Sequence, residues 1–231
     1  MREMLLIENK RLRQTIKTAV PFVLIPVTVL LGALVFDKKM HMYVSLVTAV
    51  LSLLLFASGY EKKPVGSRRM VITAVMTALC VAGRFIPFFK PVTAITIITA
   101  IYIGGESGFL VGAMAALLSN FYFGQGPWTP FQMFAWGIMG LIAGFMAEPL
   151  KKNKAFLAVY GVIAGVGYSM IMDVWTVMWY DDGFNGGLYL TALATALPHT
   201  LMYAVSNFVF LWFMAKPFGE KLERIKIKYG V

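Results

Sequence analysis

The chain has 231 residues, 59% of them apolar and only 14% charged, with a net charge of +10 and a mean hydropathy of +0.73. Soluble domains run about 45–50% apolar and about 25% charged, and a globule of this size could not hide so much apolar surface in one core. These proportions argue against a soluble enzyme. The basic residues punctuate apolar runs without forming a continuous basic face, so they are topology signals and no nucleic acid is expected as a partner.

A spanning helix needs about 20 apolar residues. Eight apolar segments follow one another at 18–36, 41–59, 70–86, 91–105, 107–123, 131–149, 154–180 and 187–215. The first follows a basic stretch, as in a signal peptide, but its apolar run is too long and no small-residue site closes it, so it is read as retained. The fourth and fifth are parted only by Gly104-Gly105-Glu106-Ser107, which makes them a tight helical hairpin. EKKPVGSRR (61–69) is the one long polar interruption. The expectation is an all-α membrane protein with eight transmembrane helices. It divides into a two-helix hairpin (1–60), a cytoplasmic linker (61–69), a six-helix domain (70–216) and a basic cytoplasmic tail (217–231). The single cysteine, Cys80, allows no internal disulfide.

With the amino terminus in the cytoplasm and sides alternating, 17 of the 21 lysines and arginines fall in cytoplasmic segments. The outer loops keep Lys38, Lys39, Arg84 and Lys90, the first two placed as interface anchors. Both termini are then cytoplasmic.

No G-x-x-x-x-G-K-[ST], H-E-x-x-H, C-x-x-C or G-x-S-x-G occurs, and two histidines, His41 and His199, are too few for most metal clusters. Neither an enzyme nor an intrinsic cofactor is expected, and energy for uphill transport has to come from a partner or an ion gradient.

Three outer loops stand apart: GRFIPFFKP (83–91), NFYFGQGPWTPFQ (120–132) and WYDDGFNGG (179–187). They combine Gly and Pro turns, aromatic plates and hydrogen-bonding groups, among them Arg84, Asn120, Tyr122, Gln125, Trp128, Gln132, Tyr180 and Asn185. Apolar walls with a few placed polar groups are what a small-molecule pocket needs. Aromatics also gather at membrane interfaces without any ligand. Helical spacing adds Ser169, Asp173, Thr176 and Tyr180 as one stripe, His199, Tyr203 and Asn207 as another, and Gln132 with Trp136 four residues apart. An ionisable group within a spanning helix faces the bundle interior or a water-filled cavity by default. A buried polar pair of Asp173 with His199 or Asn207, locking helices together, is the other reading of the same spacing. Asp181 and Asp182 sit at the outer mouth or are solvated loop residues. Glu106 and Glu148 are placed as solvated, without a role.

Small residues mark helix contacts in lipid. Gly108 with Gly112, Gly140 with Gly144, and Gly161 with Gly165 are expected to pack internally, while the row Ala74, Ala78, Ala82 is the best candidate for an external partner face.

RRMVITAVMTALCVAGRFIP, the A-x-x-x-A of Ala74 and Ala78, and SNFYFGQGPWTPFQMFAWG resemble the substrate-binding S components of energy-coupling factor (ECF) vitamin transporters, over residues 68–216. The first 60 residues depart from the usual six-helix plan. The resemblance implies a vitamin ligand held near the outer surface, a transmembrane coupling subunit contacting Ala74 and Ala78, and two cytoplasmic ATPase subunits that hydrolyse ATP. It also implies an S component that topples in the lipid bilayer to release its vitamin inside. The outer block looks most like S components assigned to cobalamin; riboflavin, folate, pantothenate or a cobalamin precursor would use the same architecture. The expected substrate-binding residues are Arg84, Asn120, Tyr122, Gln125, Trp128, Gln132, Trp136, Asp173, Tyr180, His199, Tyr203 and Asn207. A stand-alone carrier using Asp173 as a proton or sodium site, and an intramembrane enzyme using Asp173, His199 and Asp181 or Asp182 as acid–base or metal groups, are the rival classes.

Overall fold

A computed structural model describes residues 9–34, 40–59, 66–181 and 183–229, and every element among them is helical. Lys38, Lys39 and Asp182 lie outside the described residues, as does most of the linker 61–69.

Helix α1 (Lys10–Ala19) starts on Asn9, whose side-chain oxygen accepts from the amides of Arg11 and Leu12 at 3.0 and 3.3 Å. Two of the orphan donors of a helix start are thereby satisfied. The helix runs on through a π turn (Val20–Leu24) into α2 (Ile25–Leu34). Pro21 and Pro26 have no amide proton to give, so the ordinary ladder cannot continue across them, and the chain widens its turn instead. Then follow α3 (His41–Ser58), α4 (Gly66–Gly83), α5 (Val92–Ile103), α6 (Gly105–Phe123), α7 (Trp128–Phe145), α8 (Ala147–Lys152), α9 (Lys154–Tyr180) and α10 (Gly186–Tyr229).

Each expected apolar segment coincides with helix, with two differences. Segment 131–149 breaks at Met146 into α7 and α8. The last segment and the basic tail form one helix of 44 residues that carries Pro198 and Pro217 inside it, about 66 Å long and well beyond the hydrocarbon core of a bilayer, about 30 Å. Among the described residues four stretches are long and apolar enough to cross a membrane: Lys10–Leu34, His41–Ser58, Lys154–Tyr180 and Gly186–Lys228. α5, with 12 residues, covers only about 18 Å. The architecture is a helical membrane bundle.

α5, α6 and α7 form its centre, and every residue of α5 from Val92 to Ile101 is buried. The glycine rows explain how the helices come so close. A Cβ on Gly112 would sit 2.6 Å from the Trp136 carbonyl carbon, and one on Gly140 2.9 Å from that of Gly108. Gly144 lies on Gly105, and Gly165 would meet the Ala204 amide nitrogen at 2.9 Å. Backbones thus touch where any side chain would hold them apart. The alanine row lies elsewhere: Ala74, Ala78 and Ala82 are exposed on α4 beside Val71 and Val75, while Ile72, Met76 and Cys80 face the core. The amino-terminal hairpin packs through α3 on α6 and α7 and leaves that row uncovered.

At the Gly104 end of the bundle, Lys17 and Arg69 converge on Glu106, at 2.5 and 3.4 Å. Arg69 also donates to Ser107 Oγ at 2.7 Å and to the Gly59 carbonyl at 3.0 Å. The expectation of a solvated Glu106 is corrected: its side chain is 15% exposed and ties α1, α4 and α6 together. Burial alone would raise its carboxyl pKa, but the Lys17 hydrogen bond and charge, with the Arg69 charge, outweigh burial and hold it below the ordinary value. Glu148 is solvated as expected, its side chain 75% exposed and 3.9 Å from Lys151.

Candidate functional site

The opposite end of the bundle holds a different kind of cluster. α4 stops at Gly83, and the Arg84 amide closes its last turn on the carbonyls of Cys80 and Val81, at 3.2 Å each. A cation suits this position, where the helix dipole is negative. From there the guanidinium reaches α6, where Nη1 donates to Ser119 Oγ and, at 2.6 Å, to Asn120 Oδ1. Asn120 Nδ2 donates to Thr129 Oγ1 and to Gln132 Oε1 on α7, both at 2.9 Å. Gln132 Nε2 donates to the Tyr168 hydroxyl on α9 at 3.0 Å.

These bonds all run in one sense, from Arg84 through Asn120 and Gln132 to Tyr168. The cation orients every dipole behind it, and such chains strengthen cooperatively in a low dielectric. Rings complete the cluster. Phe123 lies 4.7 Å and Trp136 5.3 Å from the Arg84 Cζ. Trp136 stacks on Tyr168 at 5.1 Å, and Tyr203 of α10 meets Tyr168 edge-on at 5.0 Å.

Four buried polar atoms around this cluster and the neighbouring α9–α10 seam have no hydrogen-bond partner among the described residues: Arg84 Nε, Trp136 Nε1, Asp173 Oδ2 and Asn207 Oδ1. Buried polar groups are nearly always satisfied, so each needs an explanation. The two open donors, Arg84 Nε and Trp136 Nε1, belong to the Arg84 cluster, and the two open acceptors, Asp173 Oδ2 and Asn207 Oδ1, to the α9–α10 seam.

Of the twelve residues expected to bind substrate, the structure joins five directly: Arg84, Asn120, Gln132, Trp136 and Tyr203. Gln125 and Trp128 hold the loop. Gln125 donates to the Leu117 carbonyl at 2.8 Å and accepts from Thr129 at 3.1 Å. Trp128 packs on Trp175, which continues to Trp179. Asp173 is buried beside α10, while Asn207 donates to the Gly161 carbonyl at 3.1 Å as an interhelical tie. Neither pairs with the other, nor with His199.

Three of the twelve lie on the surface, away from the hydrogen-bonded network. Tyr122 is 74% exposed and shares an aromatic rim with Phe85 and Phe123. Tyr180, the last residue of α9, is 76% exposed. His199 is exposed on α10. Ser119, Thr129 and Tyr168 belong to the network and were missed by sequence reasoning. Ser119 and Thr129 adjoin the residues singled out, while Tyr168 gave no signal beyond an aromatic on an apolar helix. The rim above is basic and aromatic: Lys90 sits 5.8 Å over Phe123, and its carbonyl accepts from Ser206 of α10 at 3.2 Å.

A family model described as the ECF-type riboflavin transporter, S component, matches residues 65–220. The chain belongs to the ECF S component family. This is a family of transporter subunits rather than enzymes, and the match covers all of the carboxy-terminal helices from α4 to the Lys216 region of α10. Neither a curated protein nor a solved structure gives a match.

Proposed function

We propose that this S component captures a vitamin at the Arg84 end of the bundle and delivers it inward together with a transmembrane coupling subunit and two ATPase subunits. The observation that carries the reading is the directed network on Arg84, in which Arg84 Nε and Trp136 Nε1 are left unpartnered. It lies at the opposite end of α4 from the cluster of Lys17, Arg69 and Glu106. That separation supports an outer site and a cytoplasmic Gly104 end, with eight spans and both termini inside. The exposed Ala74 and Ala78 support contact with the coupling subunit through α4.

Cobalamin is the preferred substrate. The outer block GQGPWTPFQ and a broad rim of exposed rings, Phe85, Phe88, Phe89 and Tyr122, suit a large amphipathic ring system. Riboflavin is the second reading, favoured by the description of the matching family. Mass spectrometry of small molecules released from the detergent-purified protein tests both. A corrinoid is the expected result, a flavin selects the second reading, and normal uptake by this chain without coexpressed ATPases overturns the whole assignment.

A further inference from the structure

Among the described residues the Arg84 guanidinium has no ion pair. Its Nη1 is held by two neutral oxygens, on Ser119 and Asn120. None of the carboxylates in the described ion pairs belongs to it; those pairs lie at the Gly104 end and on α8. Its Nε is buried and unpartnered, and so is the indole nitrogen of Trp136, whose ring centre is 5.3 Å from Cζ. Lys90 adds a second cation over the same Phe123 ring. Burial first, and then the Arg84 charge, lower the Lys90 pKa, so the two cations sense one another.

A buried charge is costly unless paired, and ring faces return only part of that cost. The missing component is therefore an acceptor that is also negative. We infer that Arg84, Trp136 and Lys90 form a seat for an anionic group on the substrate, a phosphodiester, phosphate or carboxylate attached to a larger ring-bearing molecule. This rests on the vitamin-binding reading and narrows it: the substrate is an anion-bearing vitamin, held by its acid group at the end of the Arg84 network. An ionised oxygen accepts from two or more N–H groups at once, whereas a neutral amide oxygen leaves the positive charge of the pair uncompensated.

The test uses matched probes on the purified full-length protein, with affinities read by calorimetry. Cyanocobalamin carries a phosphodiester that cobinamide lacks, flavin mononucleotide carries a phosphate that riboflavin lacks, and folate and pantothenate carry carboxylates. Within the pair that binds, the anion-bearing member is expected to bind tighter by about 10- to 100-fold, the worth of a charge-assisted hydrogen bond. Arg84→Gln should bring that ratio towards one. Arg84→Lys, which keeps charge but loses Nε, should keep part of it, and Lys90→Gln at the rim should lower it several-fold even if Arg84 variants fail to fold. Equal affinity of both members, or an unchanged ratio in Arg84→Gln and Lys90→Gln, overturns the anion seat while leaving vitamin binding intact. Failure of all six probes to bind overturns both.

Discussion

Asn120 is the hub of the network, and its replacement by alanine is the sharpest test of what the network does. The side chain is 1% exposed and makes three hydrogen bonds, one from the Arg84 cation at 2.6 Å and two donated to Thr129 and Gln132 at 2.9 Å. Neutral bonds contribute about 0.5–1.5 kcal/mol and bonds to charged groups about 1.5–3 kcal/mol, while polar bonds between membrane helices average about 0.6 kcal/mol. Thr129 keeps Gln125 and Gly126, and Gln132 keeps Tyr168, so the loss concentrates on Arg84. Asn120→Ala should cost about 2–5 kcal/mol, measured by reversible unfolding in mixed micelles with tryptophan fluorescence. Asn120→Asp should recover part of this, since it restores an acceptor beside Arg84, but should abolish tight vitamin binding by supplying the guanidinium with an internal counter-charge. An Asn120→Ala protein within about 0.5 kcal/mol of the parent, the range of an ordinary surface change, would refute the idea that these bonds hold α4, α6 and α7 together.

Gly112→Leu forces a side chain into the Trp136 backbone and should destabilise by about 3 kcal/mol or more, or prevent folding, as overpacking of a rigid contact does; thermal unfolding in detergent checks it. Ala78→Trp, on the exposed face of α4, should leave a folded protein that no longer co-purifies with the coupling subunit. Asp173→Asn should retain uptake driven by the ATPases; loss of uptake with binding preserved would favour the ion-coupled carrier instead. The Glu106 carboxyl is held below its ordinary 4.5, so its contribution is complete above that value and is lost as pH falls through its lower folded value. Hydrogen exchange at the Lys17 turn of α1 should therefore accelerate only below about pH 4.5, and Glu106→Gln should show the faster exchange already at neutral pH.

The order of helices was legible because lipid imposes a strict rule on backbone polarity, so apolar runs and the Gly104–Gly105 break mark elements directly. The glycine pairs were legible for a related reason: Gly108, Gly112, Gly140 and Gly144 can serve little but close packing. Asn120, Gln132 and Arg84 stood out because polar groups in a rigid, glycine- and proline-bent block have few neutral uses. The stripes misled where spacing was taken for contact. A four-residue step drifts about 40° around a helix, so His199 and Asn207 differ by about 80°, and only Asn207 reaches the seam with α9. Tyr168 stayed hidden because an aromatic side chain on an apolar helix is ordinarily packing, and only its hydrogen bond from Gln132 distinguishes it. Glu106 was misplaced because its partners come from α1 and α4, far away in sequence.

Both ends of α4 are fastened to α6 by an arginine. Arg69 grips Ser107 and Glu106 at one end, and Arg84 grips Ser119 and Asn120 at the other. Between the two grips the outward face of α4 carries Ala74 and Ala78, small residues whose use depends on a backbone held at a fixed height. A ligand that took up the free Nε of Arg84 would add a bond at one grip without breaking the bonds already there, so occupancy would stiffen the seat of α4 instead of loosening it. The bound form would then present the alanine row in its most defined position. A ligand that had to displace Ser119 or Asn120 would do the reverse, releasing α4 at the moment its partner needs a rigid surface. With the vitamin at Arg84 and the coupling subunit on Ala74 and Ala78, as proposed above, an open donor beside satisfied ones would let substrate capture and partner docking reinforce each other through a single helix.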